Sequence, residues 1–146
     1  MQSERILAGE RILLTLWVGG LWTTGYVVAP ALFASLDDRA LAGTLAGVMF
    51  GIMAWIGLLC AVLLLLSNQL RNPQHRLNWR ALVLLAMLAL ILVGQFVLAP
   101  MIAEMRLAGA SEQAEFARLH GAAAMGYLIT SVLGLALVAV PAQATG

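Results

Sequence analysis

His120, Gln95, Tyr26 and Glu104 are the polar side chains whose types could do chemistry inside, or at the edge of, the apolar runs of this 146-residue chain. An imidazole can ligate a metal, relay a proton or hydrogen-bond a backbone carbonyl. Met101, Met105 and Met125 fall near His120 if the runs pair as antiparallel helices, and soft thioethers select Cu(I). No Met-x-x-Met or His-x-His spacing accompanies them, so core filling by a flexible side chain explains these methionines better. A bis-histidine haem needs two imidazoles at similar depth. The other histidine, His75, lies in a polar stretch at the opposite end of the expected bundle, which leaves only a His–Met pairing open. The simplest role for His120 is a hydrogen bond to a freed carbonyl, and for Gln95 a bond between helices.

The lone Cys60 sits deep in an apolar run and permits neither an intrachain disulfide nor a CxxC site. Walker, dinucleotide, H-E-x-x-H and G-x-S-x-G motifs are missing, and no two carboxylates share a span to act as acid and base. These residues predict neither an enzyme nor a bound metal or cofactor.

The elements that must position these residues are set by composition. Of the residues, 62% are hydrophobic and 10% charged, and the mean hydropathy is +0.95. A soluble domain is nearer half apolar and a quarter charged, so lipid is the natural solvent. A net charge of +1, carried by arginines without any lysine, excludes nucleic acid as a partner. Four runs reach the roughly 20 residues needed to span a bilayer: 12–36, 41–67, 81–103 and 119–140. The expected fold is all-α, a single transmembrane four-helix bundle over residues 1–146. The first run is read as retained rather than as a cleaved signal, because proline inside Ala29-Pro30-Ala31 suits a protease poorly.

Arg5, Arg11, Arg71, Arg76 and Arg80 flank one side of the spans; Arg39, Arg106 and Arg118, with five acids, flank the other. The positive-inside rule then places both termini in the cytoplasm of a bacterial-type inner membrane. Asp37 or Asp38 is expected to cap the second helix. Ser111 is expected to cap the fourth, with Glu115 and Arg118 one turn apart as a solvated pair.

Tyr26-Val-Val-Ala-Pro30 is echoed by Phe96-Val-Leu-Ala-Pro100. Each string is followed by acids, an arginine and a helix rich in small residues, which reads as two parallel-repeat hairpins. Gly43, Gly47 and Gly51, and then Ala122, Gly126, Thr130 and Gly134, recur at four-residue spacing, the pattern that lets membrane helices pack closely. Pro30 and Pro100 each lack an N–H, so the carbonyls of Tyr26 and Phe96 lose partners and both helices should kink. Two kinks facing each other would open an outward cavity lined by His120, Gln95, Tyr26, Pro30, Pro100 and Glu104.

LWVGG (Leu16–Gly20), YVVAPALFASL, LAGTLAGVMF (Leu41–Phe50), FVLAPMIAEM and FARLHG (Phe116–Gly121) together resemble the membrane family catalogued as domain of unknown function 4149, which has a eukaryotic relative named transmembrane protein 205. The resemblance covers about Ile12 to Val138 and implies four helices and no assigned reaction. Relatives often follow Leu-His-Gly with a hydroxyl residue; here Ala122, Ala123 and Ala124 stand there. The architecture is more distantly similar to copper-resistance membrane proteins and to a four-helix enzyme of late haem synthesis, a likeness of fold alone.

The expected function is a small non-enzymatic binding or transport-accessory bundle in the lipid bilayer, working as a homo-oligomer or with a membrane-protein partner. The alternatives are a copper- or haem-handling protein centred on His120, and an assembly subunit of a larger complex.

Overall fold

Four helical spans arise because each apolar run must satisfy its own backbone hydrogen bonds in lipid. The computed structural model describes residues 2–71, 74, 77–110 and 113–140. The first span joins α1 (Gln2–Thr23), a five-residue π-helical segment (Thr24–Val28) and α2 (Ala29–Ser35). The second is α3 (Arg39–Arg71). The third joins α4 (Trp79–Val93), a second π-helical segment (Gly94–Leu98) and α5 (Ala99–Leu107), and the fourth is α6 (Ala114–Ala139). All four are long and apolar enough to cross a membrane. Leu16, Leu59 and Leu70 are 71%, 61% and 81% exposed, an outer surface suited to lipid and a liability in water.

The first span packs against the second and fourth, and the third against the same two. The spans thus form a square ring in which the first and third occupy opposite corners. The start of α1, the end of α3, the start of α4 and the end of α6 lie at one end, the terminal end. The prolines lie towards the other, the proline end.

The core is built on Trp17, which is fully buried among Leu14, Leu21, Met53, Cys60, Leu84, Met87 and Leu137. Cys60 is buried there as a free thiol. Gly57 makes room for the Trp17 indole, since a Cβ at that position would lie 2.8 Å from the ring nitrogen. Gly134 does the same for Val18, whose Cγ2 would be 2.9 Å from an added Cβ. The expected ladders therefore contribute unevenly. Gly43, Thr130 and Gly134 are buried and Gly51 and Gly126 half-buried, whereas Gly47 and Ala122 are exposed. Nothing lies within 4 Å of a Cβ built at Gly47 or Gly126.

The spans are longer than the apolar runs alone indicate. The first begins at Gln2 rather than near residue 12, because Leu7, Glu10 and Leu14 continue its buried face. At 33 residues, α3 is about 50 Å long against a hydrocarbon core of about 30 Å, so its ends reach the interfaces. Asp38 caps α3: its Oδ1 accepts from the backbone N–H of Ala40 (2.8 Å) and Leu41 (3.1 Å). The fourth helix starts later than a Ser111 cap requires, with Gln113 at its N-cap position and no side-chain bond there; Ser111 itself lies outside the described residues.

Pro30 and Pro100 are accommodated differently from the expected simple kink. Each sits two residues after the end of a π-segment, in which the helix widens by a residue. The Ala29 N–H bonds the Thr24 carbonyl, and the Ala99 N–H bonds the Gly94 carbonyl. Tyr127 of α6 packs against the first π-segment: its hydroxyl donates to the Leu21 carbonyl at 2.6 Å, and its ring occupies the space a Gly25 side chain would need. A side chain inserted into the helical ladder is a recognised cause of such a local defect.

Candidate functional site

Charged residues within membrane-facing helices are costly and rarely lack a partner. At the terminal end they form a connected network. Glu10 of α1 is 7% exposed. Its Oε1 accepts from the Ser67 hydroxyl at 2.5 Å and from Arg71 Nε at 3.0 Å, and its Oε2 accepts from Arg71 Nη2 at 3.0 Å. The carboxylate is thus held in the planar fork of the guanidinium, the geometry that makes an Arg–carboxylate pair strong. One turn earlier on α3, the Asn68 side-chain oxygen accepts from Asn78 Nδ2 at 3.0 Å. Asn78 caps α4 by accepting from the Ala81 N–H at 3.0 Å.

Arg80, 8% exposed, lies in the first turn of α4 rather than in a loop. Its Nη1 donates to the carbonyls of Val140 (2.6 Å) and Leu137 (3.4 Å), satisfying acceptors that the end of α6 leaves open. The guanidinium carbon also stands 5.6 Å from the centroid of the Trp79 ring. Side-chain hydrogen bonds therefore tie all four spans together at this end.

Beside the network is an open cavity of about 240 Å³ lined by Leu7, Glu10, Arg11, Leu14, Thr15, Arg80, Leu137 and Val138. One wall is apolar; the other carries two guanidiniums and the neutralised carboxylate. Such an arrangement can hold a molecule with a charged head and an apolar tail. It has no nucleophile activated by a base, and among the described residues no group of three His, Cys, Asp or Glu side chains could hold a metal ion.

The residues singled out from sequence lie elsewhere and are not gathered into one cavity. Pro30 and Pro100 are both exposed, on spans at opposite corners of the ring. His120 is exposed, its ring stacked on Phe116 with centroids 5.9 Å apart. Glu104 is exposed, and so are Met101 and Met125, with Met105 half-buried. Glu115 and Arg118 are exposed and form no ion pair with each other. Gln95 is half-buried against Gly51, where an added Cβ would be 3.8 Å from its Nε2. Tyr26 is 39% exposed and belongs to an aromatic group, 4.6 Å from Trp22 and 6.2 Å from Tyr127 between centroids. His75 lies outside the described residues.

A family model for a domain of unknown function, DUF4149, matches residues 12–111. The chain belongs to the DUF4149 family. The match spans the π-segments and prolines and includes Arg71 and Arg80, but Glu10 and Leu137 fall outside it. No curated protein and no solved structure matches the chain, so the likeness to transmembrane protein 205 gains nothing from these comparisons. This DUF4149 member is an integral membrane protein by its four spans. Its network was missed from sequence because Glu10 and Arg71 are 61 residues apart. The available signal was an acid on the same helical face as Leu7 and Leu14.

Proposed function

We propose that this protein is a non-enzymatic membrane bundle that holds an amphiphile in the groove at its terminal end. The observation that carries the proposal is the pairing of an apolar wall (Leu7, Leu14, Leu137, Val138) with buried Arg80 and exposed Arg11 in one cavity of about 240 Å³. Ligand sites are mostly apolar, with a few placed polar groups that fix orientation. The proline end, where the conspicuous polar residues are exposed, offers less to bind with.

The test is to purify the full chain in mild detergent and measure retained amphiphile by native mass spectrometry. About one amphiphile per chain is expected for a single groove of this kind, with loss in Val138→Trp, whose indole fills the space. Protein recovered free of any amphiphile would overturn the proposal.

We also propose a bacterial inner-membrane location with both termini cytoplasmic, on the arginine excess of the terminal end. Cysteine placed at Leu70, 81% exposed at that end, and at Leu107, 90% exposed at the other, tests this. An impermeant maleimide applied to intact cells should label only the second.

A further inference from the structure

We infer that the groove selects an amphiphile whose head is an anionic phosphate, held between Arg80 and Arg11. This rests on the binding function proposed above and specifies its ligand. The groove is lined by two guanidiniums, of Arg11 and Arg80, and one carboxylate, Glu10, which Arg71 holds from outside the lining. Both oxygens of that carboxylate are already engaged by Arg71, and one also by Ser67. The Glu10 charge is therefore largely offset by Arg71, and Arg11 and Arg80 are the cations that line the cavity. Arg80 directs only Nη1 at the end of α6; its Nε and Nη2 have no hydrogen-bond partner among the described residues, and the side chain lines the groove. Arg11 is exposed and has no ion-pair partner among the described residues.

A guanidinium presents its N–H groups in a fork that matches phosphate oxygens. Two such groups from different helices suit a head with three free oxygens or a diester with two. A choline head brings its own cation towards Arg11 and loses this complementarity. Leu7, Leu14, Leu137 and Val138 continue from the head position as a strip for the first methylenes of an acyl chain. A free phosphate would leave that strip unused.

The test uses the full chain in nanodiscs and reads lipid retention by native mass spectrometry. Phosphatidylglycerol is compared with diacylglycerol of the same acyl chains, which lacks the phosphate, with glycerol phosphate as the chainless competitor. Two charge-assisted hydrogen bonds lost with the wrong head predict a preference of about tenfold or more for phosphatidylglycerol. Arg11→Gln, at an exposed position outside the network, should remove most of that preference. Arg39→Gln, exposed at the proline end, should leave it intact. Val138→Trp should lower retention of both lipids. Arg80→Lys, which keeps the charge but not the fork, should lower the preference, and because Arg80 also bonds the end of α6 its unfolding midpoint is measured beside it.

Equal retention of both lipids, abolished by Val138→Trp, would overturn the phosphate selection and leave the amphiphile site standing. Retention of neither would overturn both. A preference unaltered in Arg11→Gln, or displacement by glycerol phosphate at the same concentration as by whole lipid, would also overturn this assignment.

Discussion

At the proline end, Asp37, Asp38, Arg39, Glu104, Glu115 and Arg118 are all exposed; at the terminal end, Glu10, Asn68 and Arg80 are closed off almost completely. The two ends also differ in how their spans are joined. Arg71–Glu10, Asn78–Asn68 and Arg80–Val140 carry side-chain bonds around the ring at one end. Towards the other, aromatic contacts such as Phe50 against Tyr127, 4.9 Å between centroids, and, among the described residues, a side-chain bond from Tyr127 to Leu21 join the spans. An exposed charge at a membrane surface is satisfied by water and orders little. A buried one must find a protein partner, and that partner fixes how the helices stand. The terminal end is therefore the more heavily cross-linked by buried side-chain bonds, and substitutions should separate the two ends.

The largest effect is expected for Glu10→Ala. It removes the carboxylate held in the fork of the Arg71 guanidinium, and breaking such a buried pair costs about 3–5 kcal/mol. Unfolding of detergent-solubilised protein by a graded denaturing surfactant measures this. A loss under about 1 kcal/mol, the usual worth of a solvated pair, would erase the contrast between the ends. Gly57→Ala comes next, at about 1–3 kcal/mol for overpacking, because the new methyl meets the Trp17 indole and Ile91 Cδ1 at 2.8 and 3.0 Å. Tryptophan fluorescence should shift with it if the indole is displaced.

Tyr127→Phe removes the bond to the Leu21 carbonyl and should cost about 1 kcal/mol, with faster amide exchange confined to the segment around Gly25. Exchange that quickens equally at the terminal end would show that the two ends are coupled. The smallest effect belongs to His120→Ala, within about 0.5 kcal/mol as for other exposed positions. A clearly larger loss would return interest to the proline end.

The four spans and the Asp38 cap were legible because each is written locally, in a run of apolar residues or in an acid just before one. The rotation of each helix was not. The fourth span has apolar residues nearly all round, so its sequence has no stripe to say which face turns inward. His120 was accordingly expected inside, yet it lies outside against Phe116. The Ala-Pro strings announced a local defect in both halves, but a uniformly apolar stretch such as Tyr-Val-Val cannot signal that the turn before each proline widens. Arg71 and Arg80 were read as loop charges used only to orient the chain. Their burial depends on Glu10 and on the end of α6, partners that approach only once the ring has closed.

The widened turns have a genetic consequence. Each residue advances an α-helix by about 100°, so one surplus residue absorbed between Thr24 and Val28 resets the angular phase of everything from Ala29 to Ser35. Deleting one codon there should turn the segment into regular α-helix and leave Phe33 close to its present azimuth. The same lesion in the uninterrupted α3 would misphase one part of that helix against its neighbours, with no slack to absorb it.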